Sequence, residues 1–209
     1  VPANRGGFGL LLANKKQATG ADKFVVQYSY TLAQGGVVGA QDHEQQARDV
    51  VSEPIRCAVI TISDTRTVET DSSGRLAQDL LQQAGHTIEH YAIVPDDAAL
   101  IVAELERLVA NGCQVLITSG GTGIAKRDTT FEAVSALIEK PLPGFGELFR
   151  MLSFQEIGAA AMLSRATAGL LGDSVLFCLP GSSGAVRLGL QQLIIPQLEH
   201  LVWEVLRQK

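Results

Sequence analysis

The sequence predicts an α/β fold on a parallel sheet, and three observations predict it. Short apolar, β-branched runs recur at 56–62, 86–94 and 115–118. Helix-period stripes separate them, each ended by a glycine. The third run passes straight into Ser119-Gly120-Gly121-Thr122-Gly123. Strands alternating with amphipathic helices cross over in right-handed βαβ units, which makes the strands parallel.

Taken in order, Pro54 marks a boundary and 56–62 reads as a buried strand, apolar throughout its interior. Ser63-Asp64-Thr65 closes it with turn chemistry. Leu76, Ala77, Leu80, Leu81 and Ala84 form one face of a helix over 73–84, stopped by Gly85. A second strand covers 86–94. Pro95-Asp96-Asp97 opens the next helix, with Asp96 as the candidate N-cap, and Asn111-Gly112 ends it. The strand at 115–118 follows. Thr129 and Glu132 match the capping box S/T-x-x-E, so a helix begins at about 129–130 and runs to about 138. Pro141 and Pro143 interrupt it. A further helix reaches about 157. Segments 165–169 and 174–179, around Gly172-Asp173, form a hairpin or two strands at one sheet edge. The apolar spacing from Leu190 to Val205 predicts an amphipathic helix, kinked or split at Pro196.

The chain carries 17 basic and 22 acidic residues, a net charge of −5, so no basic field favours nucleic acid. An anion must then be held locally, by oriented N–H groups and a metal ion. Cys57, Cys113 and Cys178 are odd in number and contain no C-x-x-C pair, which predicts buried free thiols in a reducing compartment. No run reaches the roughly 20 apolar residues of a membrane span, and no secretory leader pattern is present. The expected location is the cytoplasm, with no membrane partner. Residues 1–52 are read as an N-terminal extension without an assigned role, open to disorder, and 53–209 as the folded domain. The chain begins at Val1, as a processed or shortened chain would, and 24–30 reads as a strand.

The chemistry concentrates in the glycine-rich segment. Open α/β sheets place ligands beyond the carboxyl ends of their strands. Gly120, Gly121 and Gly123 permit a close backbone approach, and the hydroxyls of Thr118, Ser119 and Thr122 add donors. A plain strand-to-helix turn is the bland alternative, but three glycines and three hydroxyls in six residues favour an anion site. The known fingerprints fail. G-x-G-x-x-G would need glycine where Lys126 stands, the Walker pattern is absent, and Gly181-Ser182-Ser183-Gly184 lacks the spacing of a nucleophile elbow. Asp128 either complements a helix dipole or holds Mg²⁺ beside a phosphate. The four histidines show no metal-ligand spacing.

Together these segments resemble the MoaB/MogA family of molybdenum-cofactor biosynthesis proteins. The resemblance runs from about Ile55 to the C-terminus. It is carried by 62–66, 71–74, 94–97, 118–123, 127–130, 143–147, 163–165 and 179–182, in the family's order. The stretch 149–158 and Met162-Leu163-Ser164-Arg165 resemble the MoaB branch more than the MogA branch. The resemblance implies a three-layer α/β/α sandwich with a mainly parallel central sheet. It implies molybdopterin as ligand, Mg-ATP as co-substrate, transfer of AMP to the pterin's terminal phosphate, and no permanently bound cofactor. It also implies a homotrimer or homohexamer, with other enzymes of the pathway as further partners. Asp96 and Asp128 match the family's acidic positions, to hold Mg²⁺ (Asp128) or orient the reacting groups. Ser63 and Asp64 are expected to line the same crevice, with Ser164, Arg165 and the Pro180-Gly181-Ser182 loop on the pterin or nucleotide side. The rival readings are a pterin-binding or scaffold protein without chemistry, and a nucleotide-binding regulator.

Overall fold

The computed structural model describes residues 53–125 and 128–206. The extension at 1–52, its expected strand at 24–30, and Lys126-Arg127 of the expected acidic motif lie outside the described residues. The parallel core is made by β1 (Arg56–Ile62), β2 (Thr87–Val94), β3 (Val115–Ser119) and β6 (Ser174–Leu179), in the order β2-β1-β3-β6. Two further strands, β5 (Thr167–Leu171) and the two-residue β4 (Lys140–Pro141), extend the sheet antiparallel beyond β6.

Why the central strands read as apolar runs is visible in their burial. All of β3 and β6 is buried, because helices cover both faces. Side chains alternate between two cores at the strand period of two. Cys57, Val59, Val115, Ile117, Val175 and Phe177 point to one face. There they meet α1 (Ser72–Gln83), α4 (Pro143–Ile157), α5 (Ser183–Gly189) and α6 (Ile195–Leu206). Ala58, Ile60, Ile62, Leu116, Leu176 and Cys178 point to the other, under α2 (Ala98–Ala110) and α3 (Thr130–Leu137). The result is the expected three-layer α/β/α sandwich. All three cysteines are free and buried. Burial pushes the Cys57 and Cys178 thiols up to about 12, which removes them from thiolate chemistry at neutral pH.

Several local expectations are corrected. Asp97, not Asp96, caps α2, accepting from the amides of Ala99 and Leu100. The capping box at Thr129 and Glu132 does not form, since Thr129 makes no side-chain cap bond. Its hydroxyl goes to Asp96 and the Glu132 carboxylate to Arg165. The hairpin at 167–179 exists, but β6 is interior and the sheet edge belongs to β4. The C-terminal helix begins at Ser183, and its break is a π-turn over Leu190–Ile194. Pro196 has no N–H for a normal helical bond to residue 192, and the wider turn accommodates that loss.

Candidate functional site

Four parallel strands deliver their carboxyl ends to one edge, and the sequence-predicted residues gather there. The first crossover leads from β1 to β2 on one side, and the next returns past β1 to β3. This reversal is the topological switch point at which open α/β sheets bind ligands. Gly120 takes φ +108° and Gly121 φ +59°, values that favour glycine. A Cβ on Gly120 would overlap the carbonyl oxygen of Ile62 at the end of β1. The loop therefore passes over β1 at backbone contact. Gly181 closes it from the other side, where a Cβ would lie 3.0 Å from the Gly120 Cα.

Donors from behind hold three successive carbonyls of this loop. The Thr130 amide donates to the Gly121 carbonyl at 3.1 Å. Arg165 Nε donates to the Thr122 carbonyl at 2.8 Å, and its Nη2 donates to that of Gly123. In a trans peptide the C=O and the following N–H point in opposite directions. The amides of Thr122, Gly123 and Ile124 are thus turned away from those donors. None of the three donates to a protein acceptor among the described residues. Successive free amides in a glycine-rich turn form an anion-binding surface.

The two acids flank this loop. Asp96 Oδ1 accepts from the Thr129 amide (3.1 Å), the Thr129 hydroxyl (3.0 Å) and the Thr130 hydroxyl (3.3 Å). A Cβ on Gly121 would lie 2.7 Å from Asp96 Oδ2. Asp128 Oδ2 accepts from the Ala125 amide at 3.1 Å. An open depression of about 400 Å³ lies beside it, lined by Ile124, Ala125, Asp128, Thr129, Glu132 and Arg165.

The other expected residues divide. Asp64 Oδ1 accepts from the Asp96 amide, and Ser63 Oγ accepts from the amides of Thr65 and Arg66, so both shape the edge. Ser182 caps α5, and Pro180 and Gly181 precede it against the glycine loop. Thr122 is buried. Thr118 is fully buried and gives its hydroxyl to the Phe177 carbonyl, so it faces the sheet rather than the crevice. Ser119 is 2% exposed, and its Oγ has no hydrogen-bond partner, an orphaned polar atom at the carboxyl edge. Ser164 gives its amide to the Ala161 carbonyl and introduces Arg165.

A second constellation had no assigned role in the sequence. Asp71 is fully buried and accepts from Tyr91 Oη (2.8 Å), the Gly74 amide (3.0 Å), Ser73 Oγ (3.1 Å) and Arg66 Nη1 (3.0 Å). Arg66 Nη2 then donates to the Gly181 carbonyl at 3.0 Å. This ties the loop after β1 to the loop after β6. Burial works against the Asp71 charge, but the neighbouring Thr61 hydroxyl, and then the hydrogen bonds from Gly74, Tyr91 and Ser73, outweigh it and hold the carboxyl below its usual range. Burial and the Asp71 charge push Tyr91 up to about 12. Arg66, Asp71, Ser73 and Gly74 do stand in motifs quoted for the family resemblance. Their contacts span up to 115 positions, so no local spacing announces them.

This fold and loop define an open α/β protein with a glycine-rich turn at its topological switch point. A family profile described as "Probable molybdopterin binding domain" matches residues 58–200. Molybdenum cofactor biosynthesis protein B of Bacillus anthracis is 52% identical over 169 residues, covering 80% of this chain and 98% of the relative. A crystal structure of a molybdenum cofactor biosynthesis protein B superposes with a TM-score of 0.73 at 52% identity, over 75% of this chain and 98% of the other. A solved MogA structure gives 0.66 at 30% identity, over 72% and 99%. The chain belongs to the molybdenum-cofactor biosynthesis MoaB/MogA family. The 52% identity to B proteins, in sequence and in structure, sets it nearer the B branch.

The Asp71 cluster yields a prediction in pH. A carboxyl whose folded pKa is depressed stabilises the fold above its unfolded pKa, and that contribution is lost as pH falls through the folded value. Asp71→Asn should lower unfolding free energy at pH 7 by about 2–4 kcal/mol and flatten the acid side of the stability profile. Urea unfolding at a series of pH values checks this, and an unchanged acid limb would remove Asp71 from the account.

Proposed function

We propose that the chain binds molybdopterin at the 119–124 loop and transfers AMP from Mg-ATP to the pterin's terminal phosphate. The observation that carries this reading is the run of free amides at Thr122, Gly123 and Ile124 beside Asp128. In the reaction a terminal phosphate oxygen of the pterin forms a bond to the ATP α-phosphorus. The bond from that phosphorus to its bridging oxygen breaks, and pyrophosphate leaves with the electron pair. Such transfer needs alignment and charge neutralisation more than covalent help.

The residues divide that labour. The loop amides hold phosphate oxygens without bringing counter-charge into an acidic protein. Asp96 braces Thr129 and Thr130, and Thr130 in turn holds the Gly121 carbonyl. Asp128 is the residue that would hold the magnesium carried in with ATP. Mg²⁺ is commonly bound by one or two carboxylates plus substrate phosphates, and a half-buried carboxylate at an open depression fits that role. Magnesium supplies neutralisation of the phosphate charge. The orphaned Ser119 hydroxyl, Ser164 and the Pro180-Gly181-Ser182 loop are proposed for the pterin side. Three buried free thiols suit a reducing cytoplasm. Among the described residues no helix is long and apolar enough to cross a membrane.

We further propose self-association through α4. Leu148, Met151, Phe154 and Ile157 on this helix, with Met162 and Leu163 just after it, are all more than 45% exposed. Apolar side chains clustered in one stretch mark a contact surface.

Two measurements follow. Purified protein with Mg-ATP and molybdopterin should form adenylylated pterin, and Asp128→Asn should lose turnover at least about a hundredfold while unfolding like wild type. Equal product from both proteins would refute the assignment, and pterin binding without ATP consumption would favour the scaffold reading. In sedimentation the protein should run as a trimer or hexamer, and Phe154→Asp should run as a monomer. A wild-type monomer at micromolar concentration would contradict the α4 interface.

A further inference from the structure

Arg165 looks in sequence like a hand for a phosphate, but its guanidinium is already committed. Nε donates to the Thr122 carbonyl and Nη2 to that of Gly123. Nη1 donates to Glu132 Oε1, and Nη2 reaches Glu132 Oε2 at 3.4 Å. The cation lies over the Phe131 ring, 4.9 Å from its centroid. Glu132 neutralises the charge, and the stacked ring fixes the plane of the fork. The carboxyl of Glu132 is itself held below its usual range, first by the hydrogen bond from Arg165.

We propose that Arg165 is a positioning residue for the glycine loop, acting from behind on two carbonyls so that the Gly123 and Ile124 amides face the ligand. This rests on the anion-binding reading of the loop, but it assigns Arg165 a different task from phosphate contact. The planar fork is what the task requires. Two carbonyls one residue apart need two donors in fixed geometry, and a lysine ammonium cannot reproduce that. The orientation of each amide is then set before ligand arrives, because a trans peptide carries its N–H opposite its C=O. Phe131 completes the device by fixing the plane of the fork, while Glu132 offsets its charge.

The test compares Arg165→Lys and Glu132→Gln with wild type, using inorganic pyrophosphate as the probe. In ligand-free protein the lysine variant should shift the amide resonances of Thr122, Gly123 and Ile124, with resonances remote from the site unmoved. Its Kd for pyrophosphate should rise about tenfold although the positive charge is kept. Glu132→Gln should change Kd by less than about threefold, since the guanidinium–carbonyl bonds survive. In wild type the Arg165 Nε–H resonance should stay in place as pyrophosphate is added. A direct phosphate contact predicts otherwise on three counts. The ligand-free loop amides would be unmoved in the lysine variant, Glu132→Gln would tighten binding by releasing the cation, and the Nε–H would shift on titration. Any of these overturns the proposal. Should wild type bind no pyrophosphate, the anion reading fails, while the ligand-free spectra still decide the role of Arg165. Should Arg165→Lys not fold, the through-bond coupling from Arg165 Nε–H to the Thr122 carbonyl in wild type decides it.

Discussion

A peptide unit has two polar ends that point opposite ways, and the carboxyl edge of this sheet is organised by that constraint. Holding the carbonyls of Gly121, Thr122 and Gly123 from the α3 side leaves the following amides nowhere to go but outward. Gly120 and Gly121 make the turn sterically available, because the loop must cross Ile62 at backbone distance with positive φ. Everything around the loop serves these two demands. Asp96 braces Thr129 and Thr130, the Thr130 amide holds the Gly121 carbonyl, and Asp64 in turn fixes the Asp96 amide. Arg66 and Asp71 fasten the 180–182 loop that backs Gly120.

An acidic protein with a net charge of −5 has little long-range attraction for a phosphate ligand. Under the proposed function, the amides of Thr122, Gly123 and Ile124 would supply partial positive charge at short range. Among the described residues, two cations at this edge, Arg66 and Arg165, are both engaged by protein acceptors. In that proposal, binding free energy would come from several oriented amides acting together and from metal charge arriving with the nucleotide. Specificity for the pterin would lie in the buried hydroxyl of Ser119 and in the loops after β1 and β6.

Legibility in the sequence followed burial. β1, β3 and β6 lie between two helical layers, so their interiors are continuous apolar runs and their limits could be read to within a residue or two. β4 has two residues, one of them Pro141, and no pattern of that length exists to be read. The capping box at Thr129 failed for a different reason. Asp96 and Arg165, from other parts of the chain, compete for the same hydroxyl and carboxylate and take them. The acids were located as flanking the site, yet the N-cap duty went to Asp97 because Asp96 is drawn across to α3. Arg165 and Thr118 do stand at the carboxyl edge, but which way each side chain faces depends on partners distant in sequence.

The most direct test is a structure of the protein with Mg-ATP and molybdopterin bound. The account predicts phosphate oxygens within about 2.7–3.2 Å of at least two of the Thr122, Gly123 and Ile124 amides, with Asp128 on the nucleotide side. Phosphates seated elsewhere, with those amides left facing water, would contradict it.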